Sequence, residues 1–360
     1  MINLHGITED EIKEELLQLG EKSFRAQQIL KWVYEKKVIE WEAMTDLNKE
    51  QRKKFASSFQ LISLKLVRVQ DSKDGETTKF LWELFDGKLV ESVLIYSGDR
   101  RTVCVSSQVG CPARCAFCAS GKEGLIRNLT SAEIVEQVYL IDHFLHEKGQ
   151  RVSHVVFMGM GEPFENYDMV VKSIRLLIDP QRLNLSQRRI TVSTVGVVEG
   201  IDRFTEEDLK VNLVLSLHAP NQRIRQKIIP YARKYSLEEI LAAMLSFSKK
   251  THRDLTYEYT LIAGINDAPE QAEELVHLLN DHPCTVNLIP YNPVVGLRLS
   301  RPEGERIEAF KSILEEGGIK ATWRYTKGKD IAAACGQLAL QHSLKTARKN
   351  STELVIISKN

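Results

Sequence analysis

Hydrophobic and polar positions change period twice along this chain, and the changes divide it. Over the first sixty residues the apolar positions recur at helical spacing. Ile12, Leu16 and Leu17 form one short stripe behind Thr8 and Glu11, which have capping-box spacing, and Gly20 supplies the stop. Ile29, Leu30, Trp32, Val33 and Tyr34 form a second stripe, and a third helix is predicted from near Thr45 to around Phe59. Residues 60–69 then alternate, and 77–96 read as two strands joined at Asp86-Gly87, a pair that suits a tight hairpin turn.

From about residue 100 apolar strands alternate with helical segments. Strands are predicted at 102–107, 153–158, 189–194, 211–217, 255–262 and 284–289, with a last short one at 319–324. Thr130 and Glu133 open one intervening helix with a capping box, and residues 236–249, 268–280 and 303–316 supply others. Repeated strand-then-helix units predict an α/β fold with a parallel sheet, an open or closed barrel of about six units. The expected organisation is an accessory domain over 1–95, helical and then β, a core over 96–342, and a basic tail over 343–360 that includes Lys345, Arg348 and Lys349.

Composition alters this picture little. A hydrophobic share of 43% and a charged share of 27% over 360 residues describe a globular protein able to bury a sizeable core. No run of 18 or more apolar residues is present, and the first residues lack a basic and apolar leader, so the expectation is cytoplasmic. The net charge of +1 provides no global field for phosphates. A nucleic-acid partner would need local clusters, and candidates are Arg182 with Arg188 and Arg189, then Arg223, Arg225 and Lys227, then Arg233 and Lys234, and Arg52 to Lys54. Solvated helix faces and loop charges are the better explanation of any one of these taken singly.

The cysteines change the picture decisively. Strand 102–107 runs into Cys111, Cys115 and Cys118, three thiols at C-x3-C-x2-C spacing that can wrap one small inorganic core. A [4Fe-4S] cube usually takes four cysteines, so three leave one iron open to an outside ligand. A structural zinc site would need a fourth ligand, and the nearest histidines, His143 and His146, lie beyond a helix. A cluster serving electron transfer alone and unrelated buried cysteines are the other readings. At the ends of the later strands stand Gly161-Glu162-Pro163, Ser193-Thr194, Ser216-Leu217-His218 and Asn292, small polar groups where a ligand's edges could be held.

The C-x3-C-x2-C segment at the end of a first barrel strand resembles the signature of the radical-SAM superfamily. With Cys104 before it and Cys335 in Ala334-Cys335-Gly336 near the far end, the chain resembles the RlmN family of adenine-C2 methyltransferases over roughly residues 20–340. The resemblance implies a partial (β/α)6 radical-SAM barrel, with Cys111, Cys115 and Cys118 holding a [4Fe-4S] cluster whose open iron binds S-adenosylmethionine (SAM). It implies SAM contacts at Gly161, Glu162, Ser193, Ser216, Leu217, His218 and Asn292. It also implies methylation of an adenine in 23S rRNA and tRNA through an S-methylated Cys335, with Cys104 as resolving thiol, Glu91 as proton acceptor, and two SAM per turnover.

A flavodoxin-type reductase is the implied electron source, and a monomer is expected. Adenine C2 is an electron-poor sp² carbon that cannot displace a methyl group from SAM itself, which is why a radical route is needed. The related C8 methyltransferases share the cysteines, but Pro163 after Gly-Glu favours C2 chemistry. A non-catalytic iron-sulfur RNA-binding protein would need neither Cys104 nor Cys335. Ala332 departs from the acidic residue common in the family, and Cys284 matches no functional position. The helical N-terminal segment and the Arg182–Arg189 stretch are the expected grips on RNA; Trp32 and Trp41 could stack on bases but read better as core.

Overall fold

The computed structural model describes residues 1–324 and 327–338. The predicted basic tail lies outside the described residues. Among the described residues, no helix is long and apolar enough to cross a membrane.

Three helices come first, α1 (Glu9–Gln18), α2 (Arg25–Tyr34) and α3 (Lys49–Ser58). Thr8 caps α1 through the predicted box with Glu11. The third helix starts later than its apolar pattern suggests. The Asn48 side chain accepts from the Gln51 amide, and the Gln51 side chain returns to the Asn48 amide, so the cap falls at Asn48 rather than Thr45.

Ten strands then form one sheet, in sequential order. Strands β1 (Lys65–Asp71), β2 (Thr77–Glu83) and β3 (Leu89–Ser97) make an antiparallel meander that pairs with β4 (Arg100–Cys104). From β4 onward pairing is parallel, through β5 (His154–Phe157), β6 (Ile190–Thr194), β7 (Asn212–Ser216), β8 (Leu255–Leu261), β9 (Cys284–Pro290) and β10 (Lys320–Trp323). The connections include α4 (Ser131–His146), α5 (Tyr167–Ile178), α6 (Val198–Glu206), α7 (Gln222–Ile228), α8 (Leu237–Thr251), α9 (Pro269–Leu279) and α10 (Gly304–Glu316). The sheet is an open barrel, since β1 and β10 are its two ends. It also runs without a break across residue 95, because Val93 of β3 pairs with Cys104 of β4.

Alternation explains which strands sit where. The parallel strands carry Val155, Val192, Leu213, Leu215, Tyr257, Tyr259, Val286 and Leu288, all buried, as strands covered by helices require. Trp32 and Trp41 are buried in the same core, and Trp32 donates its indole N–H to Asp46 at 2.5 Å. Neither ring is available to a base. Cys284 is partly buried against that core.

The N-terminal helices are pinned to the barrel by buried polar groups. Tyr139 of α4 donates to the Val33 and Val38 carbonyls at 3.1 Å. Glu136 accepts from the Leu64 amide, the Ser63 amide and hydroxyl, and Asn3.

Arg182, expected on the RNA-facing surface, is buried instead. Its guanidinium donates to the Leu4 carbonyl at 3.1 Å, the Ile7 carbonyl at 2.5 Å and the Tyr34 hydroxyl at 2.8 Å. Arg188 and Arg189 remain exposed. Replacing Arg182 by Met strands those buried acceptors and lowers unfolding stability by about 3 kcal/mol. The affinity of the folded protein for RNA stays unchanged. Urea titration and an RNA-binding isotherm on the same preparation check both halves.

Candidate functional site

A cavity opens at the carboxyl ends of the parallel strands, where this architecture collects its chemistry. Beyond β4 a short ribbon pairs Gln108–Gly110 with Leu125–Asn128, and it fixes the start of the cysteine loop. Gly110 cannot be replaced there, because its φ is +77° and a Cβ would lie only 2.0 Å from the Gly124 carbonyl oxygen. The Cys111 amide donates to that same carbonyl at 3.0 Å. The Ala116 amide donates to Ile228 at the end of α7 at 2.8 Å, so the loop is held from both sides.

Cys111, Cys115 and Cys118 all line the cavity. Burial pushes the Cys111 thiol up to about 12, and burial together with the neighbouring thiols raises Cys115 well above its ordinary value. Cys118 is raised as well, by burial. Thiols so placed stay protonated until a metal displaces the proton.

Glu162 follows β5 and is 2% exposed. Its two carboxylate oxygens accept from the Phe164 amide at 3.0 Å and the Val195 amide at 2.8 Å, and burial raises its pKa to about 7. Gly161 beside it has φ +116°, and a Cβ there would lie 2.6 Å from the Ser107 hydroxyl. The hydroxyls of Ser193 and Ser216, at the ends of β6 and β7, are 3.1 Å apart. His218 Nδ1 accepts from the Thr260 amide at 2.9 Å, and burial lowers the ring to about 3, so the imidazole is neutral with its proton on Nε2. Asn292 lines the same cavity.

The loop carrying Cys335 docks onto this arrangement. Asn292 Nδ2 donates to the Cys335 carbonyl at 3.2 Å, and the Ala119 amide donates to the Gly336 carbonyl at 2.7 Å. Ser120 donates to the Leu338 carbonyl at 2.7 Å. Cys335 lines the cavity and is exposed at its mouth, although protein atoms crowd the thiol; that crowding and the nearby Glu258 charge raise its pKa.

Cys104 and Glu91, expected at the site, do not line the cavity. Burial pushes Cys104 up to about 12, with Cys335 close enough to add to the shift, and both thiols are free. Glu91, a plain strand charge by sequence, is 1% exposed on its side chain and pairs with Lys79 at 3.0 Å. Leu217, expected at this site, is buried and does not line the cavity; its carbonyl accepts from Arg225 Nε at 3.2 Å and its amide donates to the Glu258 carbonyl at 3.0 Å.

Four residues escape sequence reasoning. Glu258 and Arg324 line the cavity as a pair 3.6 Å apart, and Lys79 supports Glu91. Arg225, assigned to a surface cluster by sequence, is fully buried behind the cavity, donating to the Val195, Ser216 and Leu217 carbonyls. No local pattern marks a charged residue on a strand or short helix as buried; the partner identifies it.

Residues 2–61 match the profile of the ribosomal RNA large subunit methyltransferase N-terminal domain, and residues 105–279 that of the radical SAM superfamily. A probable dual-specificity RNA methyltransferase RlmN 2 of Protochlamydia amoebophila is 64% identical over 322 residues, 89% of this chain and 90% of that protein. The chain belongs to the RlmN family.

A second RlmN relative, a probable dual-specificity RNA methyltransferase of Thermotoga neapolitana, is 47% identical over 346 residues, 96% of this chain and 100% of that one. A crystal structure of a radical SAM methyltransferase from Sphaerobacter thermophilus superposes with a TM-score of 0.93 at 44% identity, covering 95% of this chain and 100% of that chain. Membership of the RlmN family within the radical SAM superfamily implies a [4Fe-4S] cluster and SAM.

The cavity suits both. Among the described residues no three His, Cys, Asp or Glu side chains gather around a point for one metal ion. Cys111, Cys115 and Cys118 line the cavity together, and three thiols at this spacing would hold a [4Fe-4S] cluster. Among the described residues, two buried oxygens of cavity residues, Asn292 Oδ1 and Glu258 Oε2, find no hydrogen-bond partner, which is what a polar ligand would relieve.

Proposed function

We propose that this protein methylates C2 of adenine in 23S rRNA, at the peptidyl-transferase centre, and in the tRNA anticodon loop, through a methyl group carried on Cys335. The observation that carries the reading is the Cys335 loop, docked by Ala119 and Asn292 over the cavity that the three cysteines line.

Cys111, Cys115 and Cys118 would hold the cluster, and Gly161, Glu162, Ser193, Ser216, Leu217, His218 and Asn292 would hold SAM. Together cluster and SAM supply a carbon-centred oxidant able to remove a hydrogen atom from an S-methyl group. Cys335 first accepts a methyl group on sulfur from one SAM, and a second SAM is spent in activating it. Its carbon then bonds to C2, tethering the RNA. Glu91 would take the C2 proton as the adduct gives back one electron to the redox system that supplied it. The Cys104 thiolate then attacks Cys335 Sγ, the sulfur–carbon bond breaks with its electron pair on carbon, that carbon takes a proton to become the methyl group, and a disulfide forms that an external reductant must reopen. Exposure of Cys335 at the cavity mouth supports its meeting a base splayed from folded RNA. A flavodoxin-type reductase would deliver the electron, and a monomer would suffice because every residue named comes from one chain.

The test is anaerobic reconstitution with SAM, a reductant and either a 23S rRNA fragment or tRNA, followed by nucleoside mass spectrometry. 2-Methyladenosine from both RNAs is expected. 8-Methyladenosine would move the protein to the C8 branch, and SAM cleavage without methylated RNA would overturn the substrate.

A further inference from the structure

Lys79 is a buried lysine that the proposed chemistry leaves without a task. It lies on β2 opposite Val93 of β3, two residues from Glu91 along that strand, so Lys79 and Glu91 share one face as diagonal neighbours. Its ammonium is 3.0 Å from Glu91 Oε1, with side-chain exposures of 8% and 1%. A buried ammonium is costly unless several acceptors surround it. The second acceptor is telling: Lys79 Nζ donates to the Ala332 carbonyl at 3.3 Å, three residues before Cys335.

That contact is not isolated. The Lys73 amide donates to Asp330 Oδ2 at 2.8 Å, and Lys327 Nζ donates to Glu76 at 3.1 Å and to the Tyr96 carbonyl at 2.7 Å. Gly328 packs so closely on Thr77 that a Cβ would lie 2.7 Å from the hydroxyl. The antiparallel meander thus cradles the segment that leads to Cys335. Within that cradle, Lys79 also touches the carboxylate assigned to proton removal.

We propose that Lys79 is a positioning residue, a single cation that sets the Glu91 carboxylate and the Cys335 loop in register with each other. The inference rests on the reading of Glu91 as proton acceptor and Cys335 as methyl carrier. A docked loop gives the ammonium its second acceptor and holds it, and through it the carboxylate, in one place. An undocked loop leaves the pair free to shift. Proton removal is thereby tied to presentation of the tethered base, without Lys79 touching the RNA.

The experiment compares reconstituted wild type, Lys79→Met and Lys79→Arg on the RNA that wild type methylates. Three quantities are read: methylated adenosine per 5′-deoxyadenosine formed, RNA–protein adduct on denaturing gels, and the iodoacetamide alkylation rate of Cys335 without RNA. For Lys79→Met the coupling ratio falls by about tenfold or more, a fraction of what a placed base contributes. Adduct persists and Cys335 alkylates several-fold faster, while Lys79→Arg recovers most of the coupling.

Unchanged coupling and adduct would overturn the proposal. So would an equal fall in product and SAM cleavage with unchanged alkylation, the behaviour of an ordinary core ion pair. If Lys79→Met does not fold, Lys79→Gln, which keeps a donor but no charge, carries the same readouts. If wild type methylates no RNA, the functional reading fails separately, and the alkylation rates still decide whether Lys79 holds the loop.

Discussion

Cys335→Ala yields no methylated adenosine, a fall of at least about three orders of magnitude, because a covalent carrier has no substitute in the site. The thiol is free and its residue is exposed, so unfolding stability changes by less than about 0.5 kcal/mol. The combination separates lost chemistry from lost structure. Cys104→Ala gives the complementary result: Cys335 still reaches C2, but nothing displaces it, and an RNA–protein adduct accumulates. The buried Cys104 thiol, held up at about 12 by burial and by the nearby Cys335, must lose its proton to act. Mass spectrometry of nucleosides and of the Cys335 peptide checks both variants. Retained 2-methyladenosine in Cys335→Ala would end the carrier mechanism.

Cys115→Ser removes one of three thiolates that have no local replacement. Iron content and the visible absorbance of the reconstituted protein fall to background, and SAM cleavage to 5′-deoxyadenosine falls with them. Prolonged chelation of wild type under air produces the same loss. Cys115 is held by burial and by the charges of Cys118 and Cys111 in a state that favours a proton over a bare thiolate, so metal and thiolate arrive together. Iron analysis on the variant decides the matter, and a full complement of iron would remove Cys115 from the ligand set.

The chain's order of elements was legible because it is written in local signals. Runs such as Val155–Phe157 and Leu213–Leu215 are continuous apolar stretches, and they place the strands from β5 onward to within a residue of where they lie, whereas the first, expected at 102–107, ends at Cys104. Capping boxes at Thr8, Thr130 and Ser236 fix helix starts by hydrogen bonds that span three residues. Spacing within eight residues is likewise enough to gather Cys111, Cys115 and Cys118 into one loop, and strand-end position is enough to bring Ser193, Ser216 and Asn292 to one cavity.

Charged residues were legible only in part, since their surroundings are assembled from distant segments. Arg182 and Arg188 look alike in sequence, yet one is spent on Leu4, Ile7 and Tyr34 and the other faces solvent. Arg225 falls in a basic cluster by sequence and in the wall behind the cavity by structure. Glu91 acquires its partner across a strand pairing, and Glu258 gains Arg324 from just beyond a strand two places along the sheet. The continuation of the accessory meander into β4 is also a nonlocal choice, made by which sheet edge lies open to pair. By itself the sequence determined the strand and helix order, the cysteine loop and the family. Tertiary structure decided which charges are buried and paired, and that Lys79 and Asn292 meet the Cys335 loop, because burial and pairing depend on groups brought together only by folding.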